Sequence, residues 1–177
     1  MEVAPLSLYV LRHADAVDKH RWAADDALRP LSHPGVVQAQ QLAQWFLSRP
    51  RLDVIVASPT VRCVSTVLPL AAELHLEVGT RAELLPHAGP AAAELARQLL
   101  ARGVNGVVCS HGEIIPGLLA DLHTASGPTF VECAKASVWL IERDRNGQLS
   151  ASYQTPAVGT HRRRQPASRA RERRLKL

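Results

Sequence analysis

The chain has 177 residues, 46% of them hydrophobic, which suits one soluble globular domain and requires no second one. No apolar run approaches the ~20 residues of a membrane span, and the N-terminus lacks the basic, apolar and small-residue succession of a secretory leader, so a cytoplasmic protein without membrane contact is expected. The formal charge of +5 misleads, because residues 161–177 hold eight Lys and Arg against one Glu, leaving 13 basic and 15 acidic residues, a net of −2, on the remainder. A domain over 1–160 and a basic, disordered tail over 161–177 are expected, the tail either solvated or in weak, salt-sensitive contact with nucleic acid or an acidic partner.

Along the chain, Leu8-Tyr9-Val10-Leu11 reads as a buried strand that ends abruptly in Arg12-His13. Residues 14–31 are polar, carry Asp15, Asp18, Asp25 and Asp26, and read as a loop at the rim of that sheet edge, where Trp22 either lines the rim or is simply exposed. Ser32-His33-Pro34-Gly35 starts a helix, continued by Val36, Ala39, Leu42, Ala43 and Phe46 at helical spacing and stopped by Arg49-Pro50. Asp53-Val54-Ile55-Val56-Ala57 is a second buried strand, Ser58-Pro59-Thr60 its exit turn, and Arg62 falls in the first turn of the helix that follows. The backbone N–H groups there add positive potential for an anion.

Residues 77–85 suggest a short edge strand and loop, and 86–90 a turn containing His87. Residues 91–101 form a helix ended by Arg102-Gly103. A third buried strand over 104–109 runs into Ser110-His111-Gly112-Glu113 and a helix over 114–122. A further strand over 137–141 leads through Asn146-Gly147 into a hairpin partner at 149–153. Strands alternating with helices predict an α/β fold, a three-layer α/β/α sandwich with a mainly parallel central sheet and one antiparallel edge hairpin. Trp45 and Trp139 are expected in the core. Cys63, Cys109 and Cys133 are odd in number and lack ligand spacing, so reduced structural thiols are expected.

Three strand-to-helix junctions thus end in Arg12-His13, Arg62 and His111, all at one sheet edge, where open α/β sheets bind ligands. A neutral imidazole can attack phosphorus in line while guanidinium groups hold the non-bridging oxygens and neutralise charge in the transition state. A second histidine can donate to the same phosphoryl group, and an acid or water must protonate the leaving group. Neither a metal nor an organic cofactor is required, and His20, His33, His75 and His123 have no partners at ligand spacing.

With these residues placed, the sequence resembles the histidine phosphatase superfamily, also called phosphoglycerate mutase-like, over about residues 6–153. Arg12-His13-Ala14 matches its Arg-His-Gly signature, Ser58-Pro59-Thr60-Val61-Arg62 its second arginine segment and Ser110-His111-Gly112-Glu113 its second histidine segment. The resemblance implies His13 as the nucleophile that becomes phosphorylated, and Arg12, Arg62 and His111 as phosphate ligands. It implies a metal-independent phosphatase, a phosphoric monoester hydrolase, acting on a phosphorylated protein or a small phosphorylated substrate.

Ala14 replaces the usual glycine, as in compact members similar to bacterial phosphohistidine phosphatases. Larger members place a carboxylate acid where Leu84-Leu85-Pro86-His87 falls here; Glu83 lies slightly early and His87 stands nearest, so His87 is the candidate acid. Substrates with good leaving groups, such as phosphohistidine or a phosphoanhydride, need that acid least. The short span from His87 to His111 leaves no room for a large cap over the site. The Asp25-Asp26 and Arg29-Pro30-Leu31 segment also resembles phosphatase-like domains fused to Nudix hydrolases, which keeps nucleotide substrates open. Protein phosphohistidine is the first expectation, small phosphoanhydrides the second, and a catalytically weak phospho-ligand binding module the third.

Overall fold

The apolar run after Leu6 becomes strand β1 (Leu6–Arg12), whose five central residues are all buried, as a strand covered on both faces must be. The structure is a computed structural model and describes residues 6–122 and 131–156. The basic segment 161–177 and His123 lie outside the described residues.

The other strands are β2 (Val54–Ala57), β3 (Val78–Thr80), β4 (Gly106–Ser110), β5 (Val138–Arg143) and β6 (Leu149–Gln154). They form a six-stranded sheet in the order β3-β2-β4-β1-β5-β6. β3, β2, β4 and β1 are parallel; β5 runs antiparallel to β1, and β6 antiparallel to β5. The helices are α1 (His33–Leu47), α2 (Val61–Leu74), α3 (Ala91–Ala101) and α4 (Ile115–Asp121).

Side chains alternate across each strand, so the central strands feed two cores. Leu8, Val10 and Val108 pack with Leu95 and Leu99 of α3 and Ile115 and Leu118 of α4. Tyr9, Leu11, Ile55 and Val107 pack with Leu42 and Phe46 of α1 and Val67 and Leu70 of α2. Each fully buried Leu, Ile or Phe contributes about 1.5–3 kcal/mol, enough in sum to fix the register of the strands that carry the site.

Local chemistry sets the element starts near that edge. Ser32 caps α1, its Oγ accepting from the Gly35 N–H at 3.1 Å with Pro34 in the first turn. Gly35 is required there, since a Cβ on it would lie 1.8 Å from the Asp15 carbonyl oxygen. The rim loop, expected to lack regular structure, contains two short 3-10 turns, Lys19–Arg21 and Asp26–Leu28. Asp18 and Asp25 start them by accepting from the N–H two residues on, which explains two of the loop's aspartates. Trp45 is half-buried rather than in the core: its ring edges pack with Tyr9 and Phe46, and the Arg49 guanidinium lies 4.0 Å from its centroid. Trp139 is buried, as expected.

Candidate active site

The sheet order β2-β4-β1 sets three of the expected junctions side by side. Arg12 pairs with Ser110, the His13 N–H donates to the Ser110 carbonyl at 3.0 Å, and the Ser58 N–H donates to the Cys109 carbonyl at 2.9 Å. His13 and His111 therefore face each other across one edge, ring centroids 5.3 Å apart at 69°. Arg62 enters from the first turn of α2. His13, Arg62 and His111 are 4%, 3% and 1% exposed, so their polar atoms must find partners within the protein or in a ligand.

The His13 Nδ1–H donates to the Ala14 carbonyl at 2.7 Å, which fixes the tautomer and leaves the Nε2 lone pair free. Burial, followed by the positive charge of Lys135, lowers the His13 pKa to about 3; His111 and Arg62 add to the effect against the Ala14 carbonyl. His13 is thus uncharged at neutral pH. The backbone behind it is clamped, because the Ala14 N–H donates to Thr66 Oγ1 at 2.9 Å and Thr66 Oγ1 donates to the Arg62 carbonyl at 2.7 Å.

His111 Nε2 lies 3.0 Å from Ser58 Oγ and 3.6 Å from Cys63 Sγ, and its Nδ1 lies 3.4 Å from Arg62 Nη2. Arg62 Nη2 can only donate, so His111 Nδ1 accepts from it and the His111 proton sits on Nε2, directed at Ser58 Oγ. Burial pushes the Cys63 thiol up, but hydrogen bonding with Cys109 and His111 outweighs it and lowers the pKa, while Cys109 is raised by its own burial and by Cys63.

The two arginines are held differently. Arg62 Nη1 donates to the Asp26 carbonyl at 2.7 Å, and Nη2 pairs with Asp26 Oδ2 at 3.1 Å. Asp26 also accepts from Arg29 Nε at 2.8 Å, and that bond, joined by the charge of Arg62, lowers its carboxyl pKa despite partial burial. Arg12 Nη1 donates to the Cys133 carbonyl, and its guanidinium lies flat against Gly112, where a Cβ would come within 2.9 Å of Cζ. Both arginines have a buried Nε–H without a hydrogen-bond partner among the described residues. An orphaned buried donor costs about 1–3 kcal/mol, and an anion accepting from both would recover that cost.

The structure thus brings together Arg12, His13, Arg62 and His111. His87 is exposed in the turn before α3 and, like exposed Glu83, makes no hydrogen bond or ion pair with the described residues; buried Leu84 ties this loop to the site edge, its carbonyl accepting from Ser110 Oγ at 2.9 Å. Asp15, a rim candidate, has its carboxylate taken by the Ser32 hydroxyl at 2.6 Å. Trp22 Nε1 donates to the Asp25 carbonyl at 2.9 Å and so braces the rim.

Sequence reasoning missed Ser58 and Asp26 as partners of His111 and Arg62, and missed Lys135 altogether. A signal for Lys135 existed: an antiparallel neighbour of β1 must begin at the edge where β1 ends. Among the described residues no group of three or more His, Cys, Asp or Glu is arranged to hold a metal ion, and no helix is long and apolar enough to cross a membrane. An apolar hollow of about 310 Å³ between α1 and α2, lined by Pro30, Val36, Leu68 and Pro69 among others, contains no titratable side chain.

The pattern of the histidine phosphatase superfamily (branch 1) matches residues 8–86. The chain is similar to an 8-oxo-(d)GTP phosphatase of Mycolicibacterium smegmatis, 30% identical over 156 residues, which are 85% of this chain and 48% of that protein. It therefore spans about half the length of that relative. It is also similar to the phosphohistidine phosphatase SixA of Escherichia coli, 29% identical over 145 residues, covering 77% of this chain and 87% of SixA. Among solved structures, the protein histidine phosphatase SixA complexed with tungstate superposes with a TM-score of 0.72 at 23% identity, covering 85% of this chain and 97% of that one. A mycobacterial glucosyl-3-phosphoglycerate phosphatase gives a TM-score of 0.64 at 18% identity, covering 84% and 97%. Both superpositions show the same fold.

Proposed function

The chain belongs to the histidine phosphatase superfamily, and from that premise we propose that it is a metal-independent phosphatase working through a phosphohistidine at His13. The observation that carries this reading is the pair of buried, unpartnered guanidinium N–H groups of Arg12 and Arg62 beside a neutral imidazole whose Nε2 is free. Nε2 attacks phosphorus and a P–N bond forms. The bond to the leaving group breaks with its electron pair on the departing atom, which takes a proton from water. A second water then attacks the phosphohistidine, the P–N pair returns to Nε2, and orthophosphate leaves with the proton balance passing to solvent. Arg12 and Arg62 neutralise the equatorial oxygens, and His111, held by Arg62 and Ser58, lines the same pocket.

No described carboxylate stands in contact with His13, so the chemistry favours leaving groups that depart without strong acid assistance. The substrate class we propose first is phosphohistidine on a protein, supported by an edge without a cap insertion and by the likeness to SixA across 87% of its length. A nucleotide or other small phosphoanhydride is the second reading, favoured by the likeness to the 8-oxo-(d)GTP phosphatase across 85% of this chain.

The test is hydrolysis of p-nitrophenyl phosphate, a phosphohistidine protein and a nucleoside triphosphate in EDTA, by wild type and His13→Ala. Turnover by the wild type alone is expected, and the rate ratio ranks the substrates. Binding of phosphate without turnover of any of the three by folded wild type would replace the enzyme with a phospho-ligand binding module.

A further inference from the structure

We propose that Lys135 is a third cationic ligand of the phosphoryl group, acting beside Arg12; this rests on reading the edge as a phosphoryl-transfer site. The placement follows from topology. β5 is antiparallel to β1, with Val138 opposite Leu11, so the turn that precedes β5 lies where β1 delivers Arg12 and His13.

That turn is fastened to both residues. The Ala136 N–H donates to the His13 carbonyl at 3.3 Å, the Arg12 N–H donates to the Ser137 carbonyl at 3.0 Å, and Arg12 Nη1 donates to the Cys133 carbonyl. Ser137 folds the turn back on itself, its N–H and Oγ–H donating to the Ala134 carbonyl at 3.2 and 2.8 Å. Ala136 is held at φ 59 although it is not glycine, and it is 1% exposed, so packing imposes this turn against local preference. Lys135 sits in the middle of it.

Among the described residues this side chain has no structural partner. Lys135 is half-buried, yet it makes no hydrogen bond with the described residues and no carboxylate among them lies within 4 Å of its ammonium. Its largest charged neighbour is Arg12, a cation; Asp15 and Glu113 offset this only in part, and Arg29 adds to the crowding. Its charge acts on His13 more strongly than that of His111, whose ring is 5.3 Å away, or that of Arg62. Two neighbouring cations, neither in an ion pair with a described carboxylate, one half-buried and the other carrying an unpartnered N–H, are stabilised by one shared anion. The phosphoryl dianion supplies it.

The experiment compares wild type, Lys135→Met, Lys135→Gln and Lys135→Arg, all in EDTA. Orthophosphate affinity is read by calorimetry, kcat and KM on p-nitrophenyl phosphate are read over pH, and melting temperature is the control for folding. The neutral variants should bind orthophosphate about tenfold more weakly, the size of one close charge contact, with Lys135→Arg within a few-fold of wild type. The acid limb of kcat/KM should move to higher pH in the neutral variants. The groups acting on His13 are then the Ala14 carbonyl, His111 after β4 and Arg62 from α2, and the loss of one positive charge lets its imidazole protonate more readily.

Wild-type affinity in folded neutral variants would overturn the proposal while leaving the phosphatase reading intact, as would a shifted acid limb with unchanged affinity. An equal loss in Lys135→Arg would also overturn it, since charge would then not be the cause. Wild type that neither binds orthophosphate nor turns over would remove the site reading itself.

Discussion

Arg62 and Arg12 reach the same edge in opposite electrostatic circumstances. Arg62 is buried, its two terminal nitrogens engaged by Asp26, and that carboxylate is shared with Arg29. Arg12 leans on a backbone carbonyl and a glycine, and is the strongest charged influence on Lys135. One half of the pocket is thus assembled and neutralised before any ligand arrives, whereas the other is a surplus of positive charge. On the proposed reading, precise geometry comes from the Arg62 half and net attraction for an anion from the Arg12 half.

The largest test of that contrast is to remove each arginine. Arg12→Gln and Arg62→Gln should each lower kcat/KM by about 10²–10³, the range seen when a transition-state donor is removed. They should differ in rescue. Without Arg62, the Asp26 carboxylate faces the phosphoryl group, so adding Asp26→Asn should recover part of the loss; the same change added to Arg12→Gln should recover nothing. Equal rescue in both backgrounds would erase the distinction.

A second effect follows from the charge gathered around His13. Its pKa is about 3 in the fold and near 6.5 in the unfolded chain. As pH falls below 6.5 the unfolded chain takes up a proton that the native imidazole refuses, so stability declines until pH nears 3. Between pH 7 and pH 4.5 this amounts to a loss on the order of 2 kcal/mol. Urea titrations should show His13→Ala escaping that part of the acid sensitivity; identical pH dependence in both proteins would refute the depressed value.

The smallest effect isolates the Arg12 half. Gly112→Ala pushes a methyl against the Arg12 guanidinium, which supplies its three nearest neighbours. It should lower kcat/KM by about tenfold, since small displacements of a positioned group carry costs of that order or more. Melting temperature should barely move, and full activity would mean that the stacking is incidental.

The two halves also differ in how legible they were. Arg12, His13, Arg62 and His111 each follow an apolar strand within a few residues, so local pattern and the sheet-edge rule sufficed to bring them together. The layers and the parallel order were legible for the same reason, since β1 and β4 are continuous apolar runs. Asp26 and Lys135 were not, because each depends on a long-range return: Asp26 reaches Arg62 across 36 residues, and Lys135 arrives only through the pairing of β5 with β1. The candidate acid His87 rests on position along the chain alone: the loop turns Leu84 inward and leaves the histidine exposed.

The central claim is that His13 Nε2 takes the phosphoryl group, and the most direct measurement is to quench wild type in alkali during turnover and map the phosphate by ³¹P NMR and peptide mass. The account predicts one acid-labile phosphoryl group on His13, attached at Nε2 because Nδ1 is committed to the Ala14 carbonyl. Phosphate on Nδ1 or on another residue, or undiminished turnover by His13→Ala, would contradict it.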